Sequence, residues 1–131
     1  MNGLDTNVLV RYVTQDDAAQ AKKASKCITS ACTANDPCQI ERVVLCELVW
    51  VLESGYGYAR GQIGEFMDSL LHTRQFEFES RDAALAALRH YRQGKADFAD
   101  ALIGAVNRNT GCKTTFTFDR KAAGLETFTL L

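Results

Sequence analysis

The feature that most limits what this chain can fold into is its hydrophobic period, which changes repeatedly between strand-like and helix-like values. Turn-forming residues gather where the period breaks. The pattern predicts strands over 2–5, near 38–41, and over 75–79, 114–118 and 127–130. Helices are predicted over 6–14, 16–32, 43–54, 60–72, 81–93 and 98–109. Strands alternating with helices define an α/β fold with a mainly parallel sheet. Pro37, preceded by Asn35-Asp36, stops the second helix, because the residue before a proline is pushed out of helical geometry. Gly55 and Gly94 close two others.

Length and composition narrow the class further. A chain of 131 residues is expected to form one domain, 1–131, with a sizeable core. With 47% hydrophobic and 24% charged residues it reads as an ordinary globular protein, and it lacks the run of ~20 apolar residues that a membrane span requires. No export signal is visible at the start, so a cytoplasmic location is expected. The formal charge of −1 gives no basic excess to draw in nucleic acid, so any attraction for RNA must come from something else. The five cysteines, odd in number and without CxxC spacing, argue against a zinc cluster or a disulfide scaffold. Most are expected to serve as small hydrophobes, with oxidation of Cys27 to Cys32 or Cys38 as the lesser alternative.

The acids stand out against this background. Asp5, in MNGLDTNVLV, falls where the first strand ends and the first helix begins. Ligands of open α/β sheets bind at that edge, although an aspartate there also makes a good helix N-cap. Glu47 is the only polar residue between Val43 and Val51, and helical spacing sets Val43, Val44, Trp50 and Val51 one turn to either side. A dry carboxylate needs a compensating cation, met either by a metal or by an arginine such as Arg11 or Arg108. Asp97 and Asp100 open the helix DFADALIGAV three residues apart, on one face. Capping and the helix dipole account for Asp97 more readily than for Asp100. Asp119 follows the strand TTFTF as Asp5 follows the first, and Asp-Arg-Lys is also common turn chemistry.

Acids brought together repel one another unless a cation intervenes. An all-oxygen donor set without histidine or thiolate favours Mg²⁺ or Mn²⁺ over Zn²⁺. Such an ion holds a phosphate oxygen and lowers the pKa of a bound water, which is the chemistry of phosphodiester hydrolysis. It also supplies the positive potential that the net charge lacks.

Four blocks in order, GLDTNVLVRYVTQDD, VVLCELVWVLE, DFADALIGAVNRNTGC and TFDR, together resemble the PIN-domain ribonucleases, and among them the VapC-type toxins of toxin-antitoxin pairs. The resemblance covers nearly the whole chain. It implies a PIN-like α/β/α sandwich with a mainly parallel central sheet, an Mg²⁺- or Mn²⁺-dependent endoribonuclease, a VapB-like antitoxin and a homodimer. By motif it assigns Asp5, Glu47, Asp100 and Asp119 as the catalytic, metal-holding acids, with Asp97 as a neighbour that assists. Asn7 and Thr117 would orient these carboxylates. Lys22, Lys23, Lys26, Arg89 and Arg92 are candidates to touch RNA, against the plainer reading of solvated helix faces. Phosphatases of the haloacid-dehalogenase kind want a second aspartate where Asn7 stands, and receiver domains want a different order of Asp and Lys. The rival from another class is a catalytically inactive PIN-like module that binds a partner protein.

Overall fold

A computed structural model describes all residues from Met1 to Leu131. The chain divides into two compact units, Met1–Glu79 and Ser80–Leu131.

The first unit runs α1 (Thr6–Thr14), α2 (Ala18–Ala31), β1 (Cys38–Ile40), α3 (Arg42–Ser54), α4 (Arg60–Leu71) and β2 (Phe76–Phe78). β1 and β2 pair in parallel, with Cys38 opposite Phe76 and Ile40 opposite Phe78. The core holds Leu9, Ile40, Leu45, Leu48, Leu52, Ile63, Met67 and Phe76, all essentially inaccessible. On α3 the buried set Val44, Leu45, Leu48, Val49 and Leu52 recurs at three- and four-residue steps, as a helix with one face on a core requires.

The expected first strand shrinks to a single parallel bridge between Gly3 and Gln39. Leu4 donates to the Gln39 carbonyl at 3.0 Å and Gln39 donates to the Asn2 carbonyl at 2.7 Å. Pairing stops there because the Asp5 carbonyl already accepts from Val8 and Leu9 inside α1. The second helix starts at Ala18 rather than residue 16, since the Asp17 carboxylate accepts from the Gln20 amide and acts as N-cap.

The cysteine expectation is corrected in its pairing, since Cys27, Cys46 and Cys112 are free and the oxidised pair does not include Cys27. Cys32 and Cys38 form a disulfide, with Cα atoms 5.1 Å apart, whereas Cys27 is free and exposed. A turn after α2, tied by Thr33 donating to the Asp36 carbonyl and Asp36 to the Thr33 hydroxyl, folds the chain back and brings the two sulfurs together.

The second unit runs α5 (Arg81–Gln93), α6 (Phe98–Asn109), β3 (Thr115–Thr117) and β4 (Phe128–Leu130), with a short 3₁₀ turn at Ala122–Gly124. β3 and β4 are again parallel, Phe116 standing opposite Thr129. α5 packs on α6 through Ala83, Ala84, Ala87, Leu88 and Tyr91 against Phe98, Ala101, Leu102 and Ala105, with Tyr91 meeting Phe98 edge-on. Alanines on both helices allow a close approach. Gly104 is needed for the same reason, since a Cβ there would collide with the Thr127 side chain and come within 2.7 Å of Phe128. Every strand pairing is parallel, as the alternating pattern predicts.

Candidate active site

In the first unit, Asp5 and Glu47 line one cleft of about 390 Å³, together with Thr6, Asn7, Arg11 and Tyr56. Asp5 is the N-cap of α1 and accepts the Thr6 amide at 2.7 Å. The cap reading and the cleft reading therefore describe the same side chain. Thr6, almost fully buried, also donates its hydroxyl to Glu47 Oε1 at 3.0 Å. One threonine thus touches both acids, a role not anticipated from the sequence. The available signal was its position, the first helical residue after the capping aspartate, from which a short hydroxyl side chain reaches a neighbouring helix.

Glu47 is exposed, not dry. Val43 and Trp50, expected to enclose it, are 63% and 66% exposed, because the buried stripe of α3 lies on the opposite side. No arginine neutralises it: Arg11 pairs with Asp16 at 3.1 Å and Arg108 with Glu126 at 3.1 Å. A different acidic pair in this unit is already compensated. Glu41 and Glu79 follow β1 and β2, and Arg42 sits 2.9 Å from Glu79. The hydrogen bond and charge of Glu79 raise the Glu41 pKa.

Arg11 is braced at the rim of the cleft. Its Nε donates to Gln20 at 2.6 Å, and its Nη1 donates to Asp16 at 3.1 Å and to the Tyr56 hydroxyl at 2.9 Å. Tyr56 donates onward to Asp16 at 2.6 Å. That hydrogen bond, then one from Thr14, and then the charge of Arg11 hold the Asp16 carboxyl at about 2.

In the second unit, Asp97 is the N-cap residue of α6 but makes no side-chain cap bond, and Asp100 lies in the first turn. Asp100 is half-buried; its pKa is raised by burial first, then by repulsion from Asp119 and from Asp97. Asp119 accepts from the amides of Lys121 at 2.8 Å and Ala122 at 3.3 Å, which anchors the 3₁₀ turn. The turn reading of its sequence context is therefore also realised. Thr117 Oγ1 accepts the Asp119 amide at 2.9 Å, a contact to the backbone of the acid it was expected to orient. Asn7 lines the cleft of Asp5 and Glu47.

The predicted acids thus fall into two sets: Asp5 with Glu47 in the first unit, and Asp97, Asp100 and Asp119 in the second. Neither unit alone groups three or more His, Cys, Asp or Glu side chains to hold a metal ion. The donor chemistry nevertheless fits a hard divalent cation, since each set is carboxylate oxygen only and Asp100 is burdened by like charges.

No solved structure matches the chain. A VapC ribonuclease from Aquifex aeolicus (strain VF5) is 24% identical over 121 residues, covering 92% of this chain and 89% of the relative. The PIN domain family model matches residues 4–126, a span that takes in residues of both units. The chain, with its α/β fold of short parallel strand pairs, belongs to the PIN domain family.

Proposed function

We propose that this protein is an endoribonuclease that hydrolyses RNA phosphodiesters and acts as the toxin of a toxin-antitoxin pair. The observation that carries the reading is the family match over residues 4–126 joined to the placement of Asp5 and Glu47 in one cleft. The similarity to a VapC ribonuclease along 92% of the chain supports it. Residues 1–131 then work as a single nuclease domain.

In this reading Asp5, Glu47, Asp100 and Asp119 are the catalytic carboxylates and hold Mg²⁺ or Mn²⁺, with Asp97 assisting. When bound, such an ion supplies Lewis acidity at a phosphoryl oxygen and activates water for in-line attack. The protein's own contribution is orientation. Thr6 fixes Asp5 through its amide and Glu47 through its hydroxyl, so neither carboxylate has to be ordered anew when charge develops. Thr117 steadies the backbone of Asp119, and Asn7 supplies an amide side chain to the cleft wall. No covalent nucleophile is required.

A VapB-like antitoxin as the neutralising partner, a homodimer and a cytoplasmic setting complete the reading. No helix is long and apolar enough to cross a membrane. The test is cleavage of a mixed RNA pool by the parent protein with Mg²⁺ or Mn²⁺, beside Asp5→Asn and a chelator-treated sample. Cleavage by the parent alone is the expected result. A parent that cleaves nothing under these conditions sinks the reading and favours an inactive module that binds a partner.

A further inference from the structure

Arg11 lies in the wall of two cavities. One is the acidic cleft; the other, about 540 Å³, opens between α1 and α2 and includes Asn7, Arg11, Gln20, Lys23 and Cys27. Asn7 and Arg11 belong to both walls and, four residues apart, stack on one face of α1, so the two cavities are neighbours along that helix. The acids lie at one end of that path only, and Asp16 balances the charge of Arg11 itself. The cleft contains Asp5 and Glu47, whereas the side chains lining the α1–α2 groove include no acid and carry Arg11 and Lys23.

The guanidinium is held more firmly than a surface ion pair requires. Gln20, Asp16 and Tyr56 occupy Nε and Nη1, and Tyr56 and Thr14 in turn fix Asp16. Nη2 keeps its two N–H donors without a protein acceptor. With Nε and Nη1 taken, Nη2 alone offers N–H donors from a guanidinium already held in place, and these suit a phosphate oxygen, which accepts from them with little reordering.

We infer that Arg11 is a phosphate-binding residue and that the α1–α2 groove, with Lys23 on its wall, carries the backbone of single-stranded RNA beside the bond to be cleaved. The inference rests on the ribonuclease reading and adds a direction to it: the strand leaves the acids past Asn7 and runs along α1 toward Lys23. The groove has the size of a small-ligand site and takes a short stretch of one strand, not a duplex. Lys22 and Lys26, on the same helix as Lys23 but not among the lining residues, lie outside the path.

The test is fluorescence anisotropy of a short, labelled, mixed-sequence RNA, titrated at several salt concentrations in the non-cleaving Asp5→Asn background. Arg11→Gln is expected to weaken binding about tenfold, and Lys23→Gln about fivefold. Each should also lower the slope of log affinity against log salt by roughly 0.7, the share of one phosphate contact on a single strand. Lys22→Gln is expected to leave affinity and slope at the parental values. Lys23 is exposed and outside the Arg11 brace, so Lys23→Gln decides the matter even where Arg11→Gln lowers the melting temperature. Equal effects of Lys22→Gln and Lys23→Gln, or a parental slope in both Arg11→Gln and Lys23→Gln, overturn the groove while leaving RNA cleavage by the parent untouched. A protein that neither binds nor cleaves RNA removes both readings together.

Discussion

The Thr6 hydroxyl donates to Glu47 Oε1 at 3.0 Å while the Thr6 amide donates to Asp5 at 2.7 Å, so a single residue couples the start of α1 to the middle of α3. Thr6→Val keeps the branched shape and the amide but loses the hydroxyl. RNA cleavage is expected to fall roughly 10- to 100-fold, the usual effect of removing a group that orients a ligating carboxylate. Thr6→Ser is expected to restore most of it. Initial rates measured beside thermal melts separate this from a folding defect, since losing one partly buried hydrogen bond costs only about 1 kcal/mol.

Asp100 carries an unfavourable load from burial and from the charges of Asp119 and Asp97. A divalent cation relieves it. Thermal melts with Mn²⁺ at about a hundredfold excess over its Kd should therefore show stabilisation of roughly 2.7 kcal/mol in the parent. Asp100→Asn should gain much less from the ion, and in chelator it should melt no lower than the parent. A parent whose melting point ignores Mn²⁺ contradicts the metal assignment whatever its activity.

The Arg11–Asp16–Tyr56 brace has a pH signature. The folded Asp16 carboxyl lies at about 2, below its ordinary value of 3.8, so its contribution to stability is present above the ordinary value. It is lost as pH falls from there through about 2. Tyr56 is the largest cause of the depression, and Tyr56→Phe should move the Asp16 titration upward, toward 3.8. Carboxyl NMR of the two proteins checks this. An unmoved Asp16 titration would show that the tyrosine does not hold it.

The disulfide between Cys32 and Cys38, six residues apart in sequence, closes a short loop. By chain entropy such a loop contributes about 2 kcal/mol. Replacing both cysteines with alanine should lower stability by about that amount, as should refolding under a thiol reductant. Denaturant melts with and without reductant measure it. A parent that melts identically in both would mean that the bond makes no net contribution.

Much of this molecule is legible in its sequence because its helices carry a clean apolar stripe and clear ends. Thr6–Thr14 and Phe98–Asn109 begin and end as the pattern predicts, each opened by an aspartate. Short strands are harder. A bridge as small as Gly3 with Gln39 has no period of its own, and whether it extends depends on what Asp5 does with its carbonyl. Glu47 shows a second limit: aliphatic neighbours on all sides suggest burial, but only packing decides which side of α3 meets the core, and Val43 and Trp50 fall on the wet one. The disulfide and the contact of Thr6 with Glu47 depend on how the chain turns back on itself, and spacing along the sequence does not say which partner is met. The acids themselves were readable because a carboxylate at a strand end or in an aliphatic helix is conspicuous before any fold is known.

The most direct measurement is the initial rate of RNA cleavage by the parent, Glu47→Gln and Asp119→Asn, each in Mg²⁺, in Mn²⁺ and in EDTA. The parent is expected to cleave in either metal and not in EDTA, and both variants at rates at least about a hundredfold lower, because several kcal/mol of transition-state stabilisation depends on the acids. A parent that cleaves equally well in EDTA, or variants that cleave at the parental rate, would contradict that expectation.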